Sequence, residues 1–189
     1  MIRTLAAATA VAAVVGSAHG AIVFESEPND TLASADFVGT IGAPGGAIVV
    51  DGGITTGDVD WISFELTNTG TLVIASLGTT TPDTDSQFQL VDSGGTILEF
   101  DDDDGPGLLP AIQITNLPAG VYTLGISTFA DVTFATGLTE LFDGIDNDTG
   151  QPTDETYDWK VTISANVIPA PGVAGLLGLA GVAAIRRLR

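Results

Sequence analysis

The chain alternates apolar and polar residues in short segments, and this pattern restricts its fold more than any other feature. The clearest example runs from Tyr157 to Ala165 and reads YDWKVTISA. Successive side chains of a strand point to opposite faces, so this alternation predicts a strand with one buried face. The central part of the chain shows no helical periodicity. We therefore predict an all-β domain.

Seven further segments are predicted to be strands because they are rich in Thr, Val and Ile and are separated by turn sequences such as Asn68-Thr69-Gly70. They are Ala47–Val50, Trp61–Thr67, Thr71–Leu77, Gln87–Asp92, Thr96–Phe100, Ala111–Asn116 and Val121–Thr128. About eight short strands at this spacing predict an antiparallel β-sandwich of the jelly-roll type. We expect Trp61, Trp159, Tyr122 and the phenylalanines to pack in its core or at an interface rather than to form a ligand platform.

The central part of the chain is strongly acidic. All 24 acidic residues lie between Glu25 and Asp158, and Lys160 is the one basic residue within 21–166, which leaves that segment a formal charge of −23. Such a surface repels nucleic acid. Repulsion among its own charges also disfavours the compact state unless cations neutralise them. The chain has no cysteine, and its single histidine is His19. This composition excludes Ser-His-Asp and Cys-His catalysis and the usual zinc sites.

Residues 1–20 have the features of a secretory signal peptide. Arg3 gives a positive start, the stretch from Leu5 to Val15 is apolar, and small residues precede cleavage positions after Ala18 and Gly20. We therefore predict that the protein is exported and that its folded domain comprises residues 21–166.

Residues 167–189 form a second targeting segment. A helix over the uncharged run from Gly172 to Ile185 would span about 21 Å, whereas the hydrocarbon core of a bilayer is about 30 Å thick. The short span favours a sorting signal over a permanent anchor. The residues that define the segment are Pro169, Ala170, Pro171, Gly172, Arg186, Arg187 and Arg189.

This tail closely resembles the PEP-CTERM sorting signal of bacterial exported proteins, with Pro-Ala-Pro in place of the common Pro-Glu-Pro. The resemblance implies export through the Sec machinery and processing by an exosortase near the proline motif. It also implies transient insertion of an apolar helix into the inner membrane. The final location would be the cell surface or the extracellular space.

Five short motifs in the central part carry a second resemblance. In chain order they are ESEPND at 25–30, GDVDW at 57–61, QFQLVDSGG at 87–95, DDDD at 101–104 and LPAGVY at 117–122. Together they look like the bacterial pre-peptidase C-terminal (PPC) domain, a β-sandwich related to the collagen-binding domains of clostridial collagenases. The resemblance extends from Glu25 to Ser164. The segment Val132–Glu155 departs from it as an insertion before the last strand.

The PPC resemblance implies a calcium site, because an acidic segment and a following loop hold calcium in the related domains. The matching positions are Glu25, Glu27, Asn29, Asp30, Asp58 and Asp60. Residue chemistry supports this prediction, since calcium takes six to eight oxygen ligands and alternate residues of an extended chain face one way. The alternative is that Asp30 forms a turn and that the glutamates are solvated.

Two other acidic loops are weaker candidates for a metal. The first contains Asp101, Asp102, Asp103 and Asp104. A cation would relieve the mutual repulsion of these four carboxylates. The alternative is a solvated loop without a bound ion. The second contains Asp146 and Asp148, within a segment that lacks the residue order of an EF-hand.

These features predict a non-catalytic exported protein, a calcium-stabilised structural or binding module at the cell surface or in an extracellular polysaccharide or protein matrix. The alternative is a carbohydrate-binding module or a glycosidase-like enzyme on the same sandwich. An exposed row of aromatic side chains on one sheet face would favour that alternative. So would two carboxylates about 5–10 Å apart in a cleft.

Overall fold

The structure is a computed structural model that describes residues 22–79, 85–133 and 135–168, which form two five-stranded sheets packed face to face. The first sheet has the order β1-β3-β10-β5-β8. These strands are Ile22–Phe24 (β1), Gly46–Ile54 (β3), Tyr157–Val167 (β10), Gly70–Thr79 (β5) and Ala111–Leu117 (β8). The predicted signal peptide and the sorting motif at 169–189 lie outside the described residues.

The second sheet has the order β2-β4-β9-β6-β7. Its strands are Asp36–Ile41 (β2), Asp60–Leu66 (β4), Gly120–Thr128 (β9), Ser86–Asp92 (β6) and Ile97–Asp101 (β7). A 3-10 turn at Leu32–Ser34 precedes β2. Among the described residues, no helix has the length and apolar character needed to cross a membrane.

All eight predicted strands are confirmed as β3 to β10, and their order across the two sheets is that of a jelly roll. The sequence analysis missed β1 and β2, which lie at the sheet edges. It was wrong in expecting only antiparallel pairs, because β1 pairs with β3 and β2 with β4 in parallel. Each of these two edge strands pairs with one neighbouring strand only. In addition, β1 has three residues, which are too few to show a periodicity.

The main core lies between the two sheets, where the alternating strands direct their apolar residues inward. In β10 the predicted alternation is confirmed, because Tyr157, Trp159, Val161 and Ile163 are all buried. Leu72 and Ile74 of β5 face Leu90 and Leu124 of the second sheet in the same core cluster. Both tryptophans and both tyrosines are buried, as predicted, whereas core packing was wrong for Phe24, Phe37 and Phe129, which are exposed.

A second, smaller core covers the outer face of the second sheet. It joins Val59, Trp61 and Val91 to Val132 and Phe142, which belong to the predicted insertion. The rings of Trp61 and Phe142 lie 6.2 Å apart, centre to centre. The insertion is therefore part of the folded domain, and it buries one face of β4 and β6.

The strand directions give the sandwich two chemically different ends. Strands β4, β6 and β10 begin at one end and β1, β3, β7 and β9 finish there, as the pairings Tyr157↔Ile54, Asp60↔Ile126 and Phe88↔Asp101 require. We call this the acidic end, because its connections carry both acidic clusters described below. The described chain leaves at Ile168 from the opposite end.

Candidate metal centre

The segment that follows β1 is held against both sheets at the acidic end. The backbone N–H of Glu25 donates to the carbonyl of Asp51 over 3.0 Å, which extends the pairing of β1 with β3. The Glu25 side chain accepts a hydrogen bond of 2.6 Å from the N–H of Gly53. Further along, the carbonyl of Asn29 accepts from the N–H of Trp61 over 3.1 Å. The segment thus connects the first sheet to the start of β4.

Two overlapping groups of carboxylates converge there. Glu25, Glu27 and Asp60 each place an oxygen within 4.8 Å of the other two, and so do Glu27, Asp30 and Asp58. Glu27 belongs to both groups. We call these five residues, together with Asn29, the first acidic cluster. The structure therefore brings together all six residues that the sequence analysis assigned to a calcium site.

Two oxygen atoms of this cluster are buried without a hydrogen-bond donor. The side chains of Asn29 and Asp60 are both fully buried, and the Oδ1 atom of each accepts no hydrogen bond from the described residues. Their other polar atoms are engaged. Asn29 Nδ2 donates to Glu25 over 3.1 Å, and Trp159 Nε1 donates to Asp60 Oδ2 over 2.5 Å. A buried oxygen without a donor is costly, so the residues present fit an oxygen-ligated cation.

Four carboxyl groups of the cluster, those of Glu25, Glu27, Asp30 and Asp60, have raised pKa values. Burial, and then repulsion from Glu25, raises the pKa of Asp60 to about 9. Burial also raises the pKa of Glu25, although the Gly53 and Asn29 hydrogen bonds oppose the change. The pKa values of Glu27 and Asp30 are raised by desolvation first and by repulsion from neighbouring acids, including Asp58. A bound divalent cation would replace these protons.

Gly52 in β3 makes room for the cluster. A Cβ atom at this position would overlap the ring of Trp159 and the carboxylate of Glu25. Trp159 in turn holds Asp60. The missing side chain therefore allows the Glu25 carboxylate and the indole to share one small space beside the strand.

The four consecutive aspartates that begin with Asp101, the last residue of β7, have different roles. Asp101 Oδ2 accepts from the N–H groups of Ala111 and Asp104, over 2.6 and 3.2 Å, and so braces the loop. Asp102 and Asp103 place oxygens within 4.8 Å of each other and of Asp85, whereas the described clusters do not include Asp104. The predicted acidic loop is therefore divided between a structural residue and part of a second cluster.

The other weak candidate forms a turn. Asp146 Oδ1 accepts from the N–H groups of Asp148 and Thr149, over 2.8 and 2.9 Å. These bonds lower the pKa of Asp146. Neither Asp146 nor Asp148 joins a carboxylate cluster among the described residues. A turn built on an aspartate side chain accounts for the spacing of this loop.

Sequence reasoning missed Asp85 and Asp131. Asp85 directly precedes β6, and only the pairing of β6 with β7 brings it near the aspartate loop. Asp131 is buried and accepts from the hydroxyl of Ser127 and from the N–H groups of Asp143 and Gly144. It fixes the insertion to the end of β9. Neither residue stands in a recognisable motif.

The exposed row of aromatic side chains that would favour a carbohydrate-binding module is not present among the described residues. The exposed phenylalanines are Phe24, Phe37 and Phe129, which lie on β1, on β2 and after β9. An open cleft of about 610 Å³ does lie beside β1. Its lining includes Phe24, Glu25, Leu77 and Trp159.

Residues 58–128 match the family model of the bacterial pre-peptidase C-terminal domain, which confirms the resemblance over the segment from Asp58 to the end of β9. The pre-peptidase C-terminal domain of a collagenase from Bacillus anthracis is 13% identical, covering 69% of this chain and 95% of that one, with a TM-score of 0.40. The Aeromonas hydrophila protein PliG, a periplasmic inhibitor of g-type lysozyme, is 16% identical, covering 69% and 99%, with a TM-score of 0.38. No curated protein matches the chain.

Proposed function

We propose that this protein is an exported, non-catalytic β-sandwich module whose folded state is stabilised by calcium bound to the first acidic cluster. One observation carries the proposal. Glu25, Glu27 and Asp60 converge to within 4.8 Å, while buried Oδ1 atoms of Asn29 and Asp60 lack a donor. Carboxylate and amide oxygens without nitrogen or sulfur ligands suit a hard cation, and calcium accepts the irregular geometry of such a set.

The charge of the molecule supports the same proposal. The one basic residue in the described ranges is Lys160, whose Nζ lies 3.1 Å from Asp51 Oδ1. The ion pair of Lys160 in the described ranges is thus with Asp51 and not with a residue of the first acidic cluster. A bound ion would join the segment after β1 to the start of β4, and so connect the two sheets. Its effect on stability follows from mass action, because an ion that binds only the folded state favours folding.

The test is thermal unfolding of the full chain with EDTA and with calcium. Calcium at about 100 times its Kd contributes roughly 2.7 kcal/mol per site, and each kcal/mol raises the Tm of a protein of this size by about 2–4 °C. We expect EDTA to lower Tm by several degrees and millimolar calcium to restore it. Sodium at equal ionic strength should not restore it, and equal restoration by sodium would indicate charge screening without a site.

Three variants locate the site. Glu27→Gln and Asp60→Asn each remove a charged ligand at nearly constant shape, so each should abolish most of the calcium response. Glu65→Gln is the matched control, because Glu65 lies on β4 near the end opposite the acidic end. A full calcium response in both cluster variants would contradict the assignment.

The proposed location is the cell surface or the extracellular matrix, reached by Sec export and exosortase sorting of the proline-containing tail. The proposed partner is an extracellular polysaccharide or a matrix protein, and the cleft beside β1 is the place to test. Phe24 is 73% exposed there. Phe24→Ser should weaken retention on isolated matrix polymers, whereas Phe37→Ser, on the edge of the other sheet, should not.

A further inference from the structure

A second acidic cluster, formed by Asp85, Asp102 and Asp103, lies at the acidic end. Asp85 directly precedes β6, and the two other aspartates directly follow β7. The two strands are antiparallel neighbours with Phe88 opposite Asp101, so the start of one lies beside the finish of the other. One carboxylate oxygen of each residue lies within 4.8 Å of the other two.

Burial distinguishes this cluster from a solvated loop. The side chain of Asp102 is 2% exposed, and its Oδ1 atom is buried and accepts no hydrogen bond. The Oδ1 atom of Asp85 is likewise buried and accepts no hydrogen bond from the described residues. Glu155 accepts a hydrogen bond from the backbone N–H of Asp85, and it leaves its own Oε2 buried without a donor. Three acidic side chains therefore present buried oxygen atoms without partners.

The Asp102 side chain has a hydrogen bond with the side chain of Gln87, but this contact leaves its Oδ1 atom without a partner. Asp101 already braces the loop through its bonds to Ala111 and Asp104. The one basic residue of the described ranges, Lys160, pairs with Asp51 on the first sheet. No protein group in those ranges thus supplies the positive charge that buried carboxylates require.

We propose that Asp85, Asp102 and Asp103 form a second divalent-cation site, with calcium as the ion that its oxygen ligands favour and Glu155 beside it. The site is separate from the first acidic cluster. Strand β9 lies between β4 and β6, and two strand spacings amount to about 10 Å. A bound ion would connect the start of β6 to the loop after β7. It would be bound in addition to the calcium proposed at Glu25 and Asp60.

The first experiment counts bound calcium on the full chain by equilibrium dialysis with calcium chloride. Asp102→Asn and Asp103→Asn should each bind one ion fewer than the unsubstituted protein. Asp103 is exposed, so its variant tests the site without disturbing the interior. Asp104→Asn is the matched control, because it removes the same charge from the same loop outside the cluster. Unchanged stoichiometry in both Asp102→Asn and Asp103→Asn would overturn the proposal.

The second experiment measures Tm without calcium, where a cation ligand and a structural acceptor give opposite results. If Asp102 is a ligand, Asp102→Asn removes an uncompensated buried charge, and the calcium-free variant should melt at a higher temperature than the unsubstituted protein. It should also gain less from added calcium. If calcium-free Asp102→Asn melts lower and keeps the full calcium gain, Asp102 is a structural acceptor and the proposal fails.

The two sites are distinguished by combining variants. Glu27→Gln should lose the ion of the first acidic cluster and keep the one at Asp102, while Asp102→Asn should do the reverse. If only Glu27→Gln loses calcium, the second site is wrong and the proposed function stands. If only Asp102→Asn loses calcium, the second site stands and the first assignment is wrong.

Discussion

At the scale of single residues, Gly52 determines whether Glu25 reaches the first acidic cluster. A methyl group there would overlap the Glu25 carboxylate and the Trp159 ring. We expect Gly52→Ala to weaken calcium binding and to lower stability by about 1–3 kcal/mol, the usual cost of overpacking. Calcium titration and thermal unfolding measure the two effects. Gly53→Ala is the control, because its new Cβ would come no closer than 3.3 Å to Asp158 Oδ1 and 3.6 Å to the Tyr157 carbonyl. An equal loss in both variants would contradict this explanation.

The raised pKa of Asp60 predicts how stability depends on pH. Its value of about 9 in the folded, metal-free state exceeds the ordinary 3.8, so the folded state binds more protons than the unfolded state. That contribution to stability is full below about pH 4 and is lost as pH rises through 9. The Tm of the calcium-free protein should therefore fall between pH 5 and 8. The slope for one proton is at most about 1.4 kcal/mol per pH unit.

Calcium changes this dependence because it binds the ionised carboxylates. The increase in Tm on adding calcium should grow with pH, as scanning calorimetry at constant ionic strength can show. Asp60→Asn lacks the titrating group and should show a smaller slope in the calcium-free state. A calcium-free Tm that rises from pH 5 to 8 would contradict the proposed linkage.

Local sequence predicted the first acidic cluster but not the second. Glu25, Glu27 and Asn29 alternate along an extended segment, and the resemblance to PPC domains linked them to Asp58 and Asp60. Asp85 is separated from Asp102 by a whole hairpin, so only the pairing of β6 with β7 shows that they meet. Four identical residues also carry no sequence signal that distinguishes the loop brace, Asp101, from Asp102.

At the scale of elements, two glutamines on β6 hold the insertion in place. Gln89 is fully buried, and its Nε2 donates to the carbonyls of Gly137 and Glu140 over 2.9 and 2.6 Å. Its Oε1 accepts from the N–H of Phe142 over 3.3 Å. The Nε2 atom of Gln87 likewise donates to the carbonyl of Val132, and its Oε1 atom accepts from the N–H of Val132. The insertion thus obtains backbone hydrogen bonds that its irregular conformation does not supply.

Gln89→Ala should therefore release the insertion from the sheet. The change leaves three backbone groups without this partner, of which the Gly137 carbonyl and the Phe142 N–H are buried, and we expect a loss of about 2–4 kcal/mol. The substitution should increase the rate of hydrogen exchange more in residues 136–143 than in β3 or β10. Gln113→Ala, at an exposed position of β8, is the control and should change stability by less than about 0.5 kcal/mol. Unchanged exchange in the insertion of the Gln89 variant would contradict this role.

The sequence did contain a signal that the outer face of β4 is covered. Val59 and Trp61 are apolar on the face opposite to Ile62 and Phe64, whereas a strand with one exposed face alternates. What the sequence could not provide was the identity of the cover, because the insertion has no periodicity of its own. The alternation of β10 was predictable because one of its faces is buried along eleven residues, whereas β1 has only three residues.

At the scale of the whole molecule, the sorting proposal predicts the mass of the surface-extracted protein. The short apolar run before Arg186 favours removal of the basic end over permanent anchoring, so intact-mass analysis should find a chain without Arg186, Arg187 and Arg189. Changing Pro169 and Pro171 together to alanine should leave the unprocessed mass. Recovery of the arginine residues on the unsubstituted surface protein would favour a permanent anchor.

The position of Ile168 determines how an attached molecule would stand. Ile168 lies at the end opposite the acidic end, where its N–H donates to the carbonyl of Thr69, and a strand of nine or ten residues is about 30 Å long. A protein tethered through the segment after Ile168 would therefore hold its cation-binding loops about 30 Å away from the envelope, as a distal tip. Calcium shared between two such tips would then bridge neighbouring molecules without contact between their tethers.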